Sequence, residues 1–440
     1  VARRLFPEAS EGSEVSEEVV ELPEASAQGV ADLECPLLGT SVVAATSHEA
    51  LTAQGQGERV YWEAFFVLLP IFCGYATLFG LQHEIKARFQ IADDSSPDSH
   101  NFSFATSFLY IFNLLSRFGH TIIFSGLTPR ERVFLAMFSM ATAMITIAVP
   151  IMMMGKCCFF WVAFAYSLGG VAVGCFESNF LCCLTPLGHR TKHVAITAIP
   201  VGVTMILVGA FLLMGPPLHI PATAIYLAVA VLVLCGATLM SMRIPKVQRH
   251  SAEGRTEAAV ADQRSGLCKL LAHGRRWRAW LPQMWHYPLA FAVDQLALAA
   301  CAPGVALFLY DKAVVVIEEG FSLPTESFFA VVNTCGMAGG LTGRWLSYRI
   351  VPRHPIVYTL FTAIGVFIIL LRVPLMAPFG AYCLSLGDGL IYGTTTRHID
   401  TSVPHEFNLT AISFWLFIGD FGSVTGSNLI SYLRDWVVGH

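Results

Sequence analysis

Charge is what this sequence has least of. Only 13% of its 440 residues are Asp, Glu, Lys or Arg, about half the share usual in a soluble domain. That excludes an ordinary water-soluble globular protein. The 27 Lys and Arg against 31 Asp and Glu leave a net charge of −4. Nucleic-acid binders concentrate positive charge on one face, so no nucleic-acid partner is expected. Catalytic signatures are missing as well: there is no Walker A loop, no His-Glu-x-x-His and no Gly-x-Ser-x-Gly. Each of these would seat a phosphate, a zinc ion or a nucleophile. Neither an enzyme nor a pump carrying its own nucleotide-binding domain is expected, and no cofactor. Most of the 12 cysteines fall in apolar runs, among them Cys157, Cys158, Cys175, Cys182 and Cys183. There they read as small buried hydrophobes. Their spacing fits neither a zinc site nor a disulfide framework, so no metal is expected.

What is abundant is apolar length. Hydrophobic residues make up 55% of the chain, and apolar runs recur near 61–83, 103–126, 132–154, 158–186, 194–214, 221–242, 285–310, 325–348, 355–373, 378–397 and 408–433. Each can cross a hydrocarbon core of about 30 Å as a helix. Backbone groups in lipid must be satisfied within the segment, which favours helices over an open sheet. The chain is therefore expected to be an all-α polytopic membrane protein with about eleven transmembrane helices. Four regions follow: an acidic, disordered cytosolic tail over 1–58, spans one to six over 59–242, a basic cytosolic linker over 243–280, and spans seven to eleven over 281–440.

The tail holds 11 acidic residues and almost no aromatic side chain, a composition that cannot build a core. Its Glu34-Cys35-Pro36-Leu37-Leu38 lies one residue off the spacing of an acidic dileucine sorting signal. The plasma membrane and an endomembrane or lysosomal site both stay open. Orientation follows from loop Lys and Arg: with the tail inside, seventeen of the 27 fall in internal positions and six outside. The C-terminus is then external. Asn101-Phe102-Ser103 is a glycosylation sequon in the first external loop, making Asn101 the glycosylation candidate. Asn408-Leu409-Thr410 faces the cytosol and should stay bare. The end of the linker, with Arg275, Arg276, Trp277, Arg278 and Trp280, suits an anionic membrane face, with membrane lipid as its partner.

Charged groups inside spans carry the functional signal, because burying them in a bilayer is expensive. Arg117, Glu177, Asp294, Asp388 and Asp420 all interrupt apolar runs. Five in one bundle point to a polar cavity between two helical halves, for a small polar solute or a proton. A carboxylate in low dielectric favours its protonated form, so proton coupling is an option beside facilitated diffusion. The competing reading pairs these acids with Arg117 or Arg344 as structural bridges. Glycines in Gly336-Met337-Ala338-Gly339-Gly340 and Gly422-Ser423-Val424-Thr425-Gly426 put small side chains on one helix face, allowing close helix contact. Pro70, Pro150, Pro200 and Pro303 are expected to interrupt helical hydrogen bonding. A 6+5, major-facilitator-like bundle acting as a secondary or facilitative carrier fits all of this.

Several stretches resemble the equilibrative nucleoside transporter family. Leu68-Leu69-Pro70 is similar to its first-span Leu-x-Pro-Trp-Asn, with Ile71 and Phe72 at the last two positions. Phe329 to Gly340 is similar to its eighth-span Phe-Asn-x-x-Asp-x-x-Gly-Arg: Asn333 is kept, while Gly336 stands at the Asp and Gly340 at the Arg. Asp388-Gly389-Leu390 resembles the tenth-span Asn-Gly-Tyr, and Val403-Pro404-His405-Glu406 a form of the loop that follows. The resemblance implies a nucleoside or nucleobase substrate, with Asn333 beside the site. The missing Asp and Arg would lie beside that site, and Arg344, one turn beyond Gly340, is the candidate replacement. A second resemblance, to battenin, rests on Gly174-Cys175-Phe176-Glu177 before Phe180-Leu181, on Asp388-Gly389-Leu390 and on Asp420-x-x-Gly. It implies an endomembrane protein of similar architecture. A non-transporting membrane scaffold is the remaining alternative.

Overall fold

A computed structural model of the chain describes residues 59–91, 96–215, 218–245, 275–301, 306, 314–318, 321–350 and 354–438. The expected acidic tail with its Leu37-Leu38 pair, linker residues 246–274, and Pro303 lie outside the described residues.

The first half comprises α1 (Glu63–Gly80), α2 (Gln82–Arg88), α3 (Pro97–Ile123), α4 (Pro129–Thr146), α5 (Phe159–Leu184), α6 (His189–Ile196), α7 (Ala198–Leu207), α8 (Gly209–Met214) and α9 (Ala222–Arg243). The second holds α10 (Leu281–Met284), α11 (His286–Ala299), α12 (Thr325–Ser347), α13 (Thr359–Leu370), α14 (Ala377–Ser402) and α15 (Asn408–Val438). Among the described residues, six helical stretches are long and apolar enough to cross a membrane: Glu63–Gly80, Pro129–Met153, Phe159–Leu187, His189–Met214, Ala222–Arg243 and Asn408–Ile430. Helices α3, α12 and α14, of 27, 23 and 26 residues, are also long enough at about 1.5 Å per residue. They are more polar because they carry the buried charges. Large apolar side chains such as Phe104, Phe138, Phe160, Val231 and Phe367 stand exposed, as lipid-facing residues must when the solvent is hydrocarbon.

Local chemistry sets the helix ends and breaks. Thr128 accepts from the Glu131 backbone amide, and the Glu131 carboxylate reaches back to the Thr128 amide at 2.7 Å. That capping box starts α4, with Pro129 at its first position, where proline costs nothing. Pro150 cannot donate, and the helix widens into a π-turn over Ile147–Met153 around it. Pro200 sits just beyond the break at Thr197 that separates α6 from α7, while α1 runs unbroken through Pro70. At the far end of α9, Arg130 donates from Nη2 to the Met240 carbonyl at 2.6 Å and from Nη1 to the Ile244 carbonyl at 2.8 Å. It thus ties the start of α4 to carbonyls that have no helical partner. Arg130→Ala should cost about 1–2 kcal/mol and lower the midpoint of a detergent-solubilised thermal melt by a few degrees.

The two halves pack alike. In the first, α5 lies against α3 and α4, and α1 against α7. In the second, α14 lies against α12 and α13, and α11 against α15. The same pairs recur six spans apart. Glycine makes the tight contacts: a Cβ at Gly174 would run into the Asn113 carbonyl of α3, and Cβ atoms at Gly422 and Gly426 into the Ala292 and Leu296 carbonyls of α11. Close packing is therefore what the small-residue stripe on α15 does. At Gly343 a Cβ would stand 2.5 Å from the Leu386 carbonyl oxygen and 2.9 Å from the Gly389 Cα. Gly343→Ala must push α12 from α14, at about 1–3 kcal/mol. Gly126→Ala, with nothing within 4 Å of the new methyl, should leave the melt unchanged.

Two expectations need correction, while the all-α reading holds apart from a short antiparallel ribbon of β1 (Val314–Glu318) and β2 (Phe321–Pro324) before α12. Its Val314-Val315-Val316-Ile317 run is β-branched, which favours extended backbone. Asn101 lies on an exposed turn inside α3, not in a loop, because Ser96 and Pro97 start that helix before it. Finally, Arg132, Lys192 and Arg344, counted as internal loop charges, are buried in the bundle. The bias toward the inner end, the one that loop charge assigns to the cytosol, survives without them.

Candidate functional site

On α3, Asn113 and Arg117 are four residues apart and so share a helix face. Both are buried. Arg117 Nη2 donates to Glu177 Oε2 of α5, and its Nε donates to Asp420 Oδ2 of α15 at 2.7 Å. Asn113 Nδ2 donates to the same Asp420 oxygen at 3.0 Å. Glu177 keeps its other oxygen for the hydroxyl of Tyr392 on α14. This one cluster joins the halves twice, through Arg117–Asp420 and through Glu177–Tyr392.

The second half repeats the arrangement. Arg344 Nη2 on α12 donates to Asp388 Oδ2 on α14 at 3.0 Å, so α12 and α14 hold an arginine–carboxylate pair where α3 and α5 hold theirs. The Arg344 guanidinium also lies 4.9 Å from the Tyr392 ring centroid, a cation–π distance that links it to the first pair. Asp388 Oδ1 accepts from Gln295 Nε2 at 2.8 Å, and Gln295 Oε1 accepts from Ser423 Oγ at 3.1 Å. Helix α14 begins at Ala377, early enough to place Asp388 near its middle.

Side chains on a helix lean toward its N-terminus, so Arg344 folds back over the preceding turn. Its Nη1 donates to the Gly340 carbonyl at 3.3 Å, and a Cβ at Gly340 would stand 3.1 Å from that nitrogen. The Arg344 guanidinium therefore sits at the level of Gly340, one turn before its own Cα. Gly340 leaves it room.

Asp294 differs from the other acids. It is 0% exposed, its Oδ1 accepts from the Thr362 hydroxyl, and its Oδ2 has no hydrogen-bond partner. No ion pair to it occurs among the described residues. Four carboxylates (Glu177, Asp294, Asp388, Asp420) therefore share two guanidiniums, and Asp294 is left without one. Of the sequence candidates, Arg117, Glu177, Asp420, Arg344 and Asp388 come together in one network, with Asp294 beside it. Asn333 stands three turns outward of Arg344, half-buried and outside the network. Asn113, Tyr392 and Thr362 escaped the sequence reading. Two of them were signalled by i, i+4 spacing from a candidate, Asn113 from Arg117 and Tyr392 from Asp388. The described residues hold no group of three or more His, Cys, Asp or Glu able to bind a metal.

No protein-family model matches the sequence, and no curated protein is similar to it. Solved structures are similar in fold. A crystal structure of a point variant of the E. coli fucose:proton symporter FucP matches with a TM-score of 0.57 at 17% identity, over 85% of this chain and 92% of that one. FucP in the outward conformation, described as a major facilitator superfamily transporter, matches with a TM-score of 0.52 at 18% identity, over 85% and 96%. The chain therefore has the major facilitator fold and is an integral, multi-pass membrane protein. These neighbours speak for neither the nucleoside transporter resemblance nor the battenin one.

Proposed function

We propose that the chain is a secondary carrier, not an enzyme, which moves a small polar solute by alternating access and couples it to a proton. The observation that carries this is the buried network joining the two halves of a major facilitator bundle, with one carboxylate in excess. Burying charge without a partner costs several kcal/mol, and a purely structural core would have no use for Asp294. A carrier does, because a proton can load and leave that group as the halves rock. The Arg117–Asp420 and Glu177–Tyr392 contacts are the ones a solute entering between the halves would replace.

A nucleoside or nucleobase is the first substrate class to test. Its support is the sequence resemblance, together with Arg344 reaching the level of Gly340 and facing a carboxylate, Asp388. A monosaccharide is the second, favoured by the fold neighbour, itself a fucose:proton symporter. Purified protein in liposomes, given an acidic exterior and a radiolabelled panel of both classes, should show saturable uptake that a protonophore collapses. Absence of saturable flux for every member from folded protein would favour the scaffold reading.

A further inference from the structure

Three histidines meet at the inner end of the second half, away from the central network. His286 opens α11, His354 precedes the 3-10 turn Pro355–Tyr358 that leads into α13, and His398 lies near the end of α14. The His286 and His354 rings stack with centroids 4.3 Å apart, tilted by 22°. His286 also meets Tyr287 at 4.5 Å, and Tyr287 stacks on His398 at 4.3 Å, tilted by 19°. Four rings in contact, His354, His286, Tyr287 and His398, thus join three elements. His398 Nε2 stands 2.9 Å from the Gln283 carbonyl, so that nitrogen carries the hydrogen, and in the neutral ring Nδ1 accepts from the Ser402 hydroxyl at 3.2 Å. No counter-charge faces the stack: among the described residues, the histidines in ion pairs are His83 and His189. The charged groups of the surrounding elements are engaged elsewhere. On α14, Arg397 donates to the Ile350 carbonyl and Asp400 accepts from Lys192. In the turn after α14, Glu406 pairs with Arg276, and Asp294, two turns along α11, accepts from Thr362. Tyr287 and Tyr358, the remaining titratable groups beside the stack, are phenols and supply no negative charge near neutrality.

We infer that the stack of His354, His286, Tyr287 and His398 is a pH-sensitive joint within the second half, assembled while its imidazoles are neutral and forced apart when they take up protons from the inner side. Neutral rings gain from overlapping faces. Two imidazolium rings face to face repel each other, and no carboxylate is placed to offset the repulsion. His354 is exposed, so once charged it can swing into water and be hydrated there. The sign follows: the joint holds above the usual histidine range, about 6.5, and is lost as the inner pH falls through it. Modest acidification from neutrality is then enough to begin opening it. What opens is the inner end of α11, freed from α14 and from the turn before α13, and α11 is the helix that bears Asp294. Both halves stay folded, because Tyr287 belongs to a buried apolar cluster with Tyr358, Ile399 and Trp415 that holds no charge.

The inference goes beyond the carrier reading and does not depend on it, since its test reads local opening instead of flux. Amide hydrogen exchange of the full chain in lipid nanodiscs is compared at about pH 7.5 and about pH 5.5, on either side of the histidine range, with the intrinsic pH dependence of exchange divided out. Amides over 286–292 should exchange about 5- to 10-fold faster at the lower pH, while those over 129–140 in α4 keep their rate. His286→Phe with His354→Phe retains two stacking rings that take no proton, and its exchange over 286–292 should be slow at both pH values. His286→Asn with His354→Asn removes the rings as well, and should exchange fast at both. An unchanged rate over 286–292 on acidification of the parent would overturn the joint. So would acid-accelerated exchange that survives in the double Phe variant, or an equal acceleration in α4, which is overall loosening. A double Asn variant as slow as the parent at the higher pH would show that the stack holds nothing, and would overturn it too.

Discussion

Arg117→Met is expected to destabilise the protein by about 3–5 kcal/mol, the cost of breaking a buried ion pair from one side. The expectation rests on what Arg117 leaves behind. Glu177 and Asp420 both accept from it, on α5 and on α15, so the substitution strands two carboxylates in the centre of the bundle. Neutralising them should restore most of the loss, because a network without charges has nothing to desolvate. The triple variant Arg117→Met, Glu177→Gln, Asp420→Asn should melt within about 1 kcal/mol of wild type. Thermal melts of detergent-solubilised protein, run for the single and triple variants together, read this directly. If the single variant melts like wild type, the cluster is not an ion-pair network. If the triple variant melts like the single one, Arg117 stabilises through packing of its aliphatic stem. Arg344→Met should cost less, because it strips the guanidinium from one carboxylate, Asp388, where Arg117→Met strips it from two.

The spans were legible because lipid imposes a length and a polarity that a run of residues either has or lacks. The runs at 325–348 and 378–397 fall on α12 and α14, the helices bearing Arg344 and Asp388. The ribbon over 314–324 was not legible, since the whole stretch sits between hydrophobic runs and only its β-branched valines set it apart. Charges inside runs were legible as a set, because each breaks the hydropathy pattern alone. Their pairing was not. Whether Asp420 meets Arg117 or Arg344 depends on which helices touch, and a single sequence does not record that. Lys192 is the clearest case. Its sequence context, His189-Arg190-Thr191-Lys192, is that of a solvated loop, and only the approach of Asp400 from 208 residues away buries it. Arg344 shows the converse. Its guanidinium reaches back to the Gly340 carbonyl, a placement that the backward lean of helical side chains makes readable from the sequence alone.

Asp294→Asn should leave the fold intact and remove the dependence of transport on proton concentration. An Asn at this position keeps an oxygen to accept from Thr362 and no longer carries a charge to bury, so its melt should match or exceed wild type. The consequence for flux follows from the sign of the coupling. A carrier that loads proton and solute together from outside moves faster as the exterior is acidified, because more of its carboxylates are loaded when the site faces out. Neutralised permanently, the site behaves as though always loaded. Uptake then becomes flat with external pH, an imposed proton gradient no longer concentrates the solute, and exchange of solute across the membrane continues. This combination separates coupling from structure. The neighbouring Asp388→Asn, which loosens Arg344, should lower stability and flux together at every pH. Comparing net uptake with exchange for both variants between about pH 5.5 and pH 8, a range that brackets neutrality, is the decisive measurement. A pH profile for Asp294→Asn that follows wild type would remove Asp294 from the coupling and leave Glu177, Asp388 or Asp420, each already paired, to carry the proton.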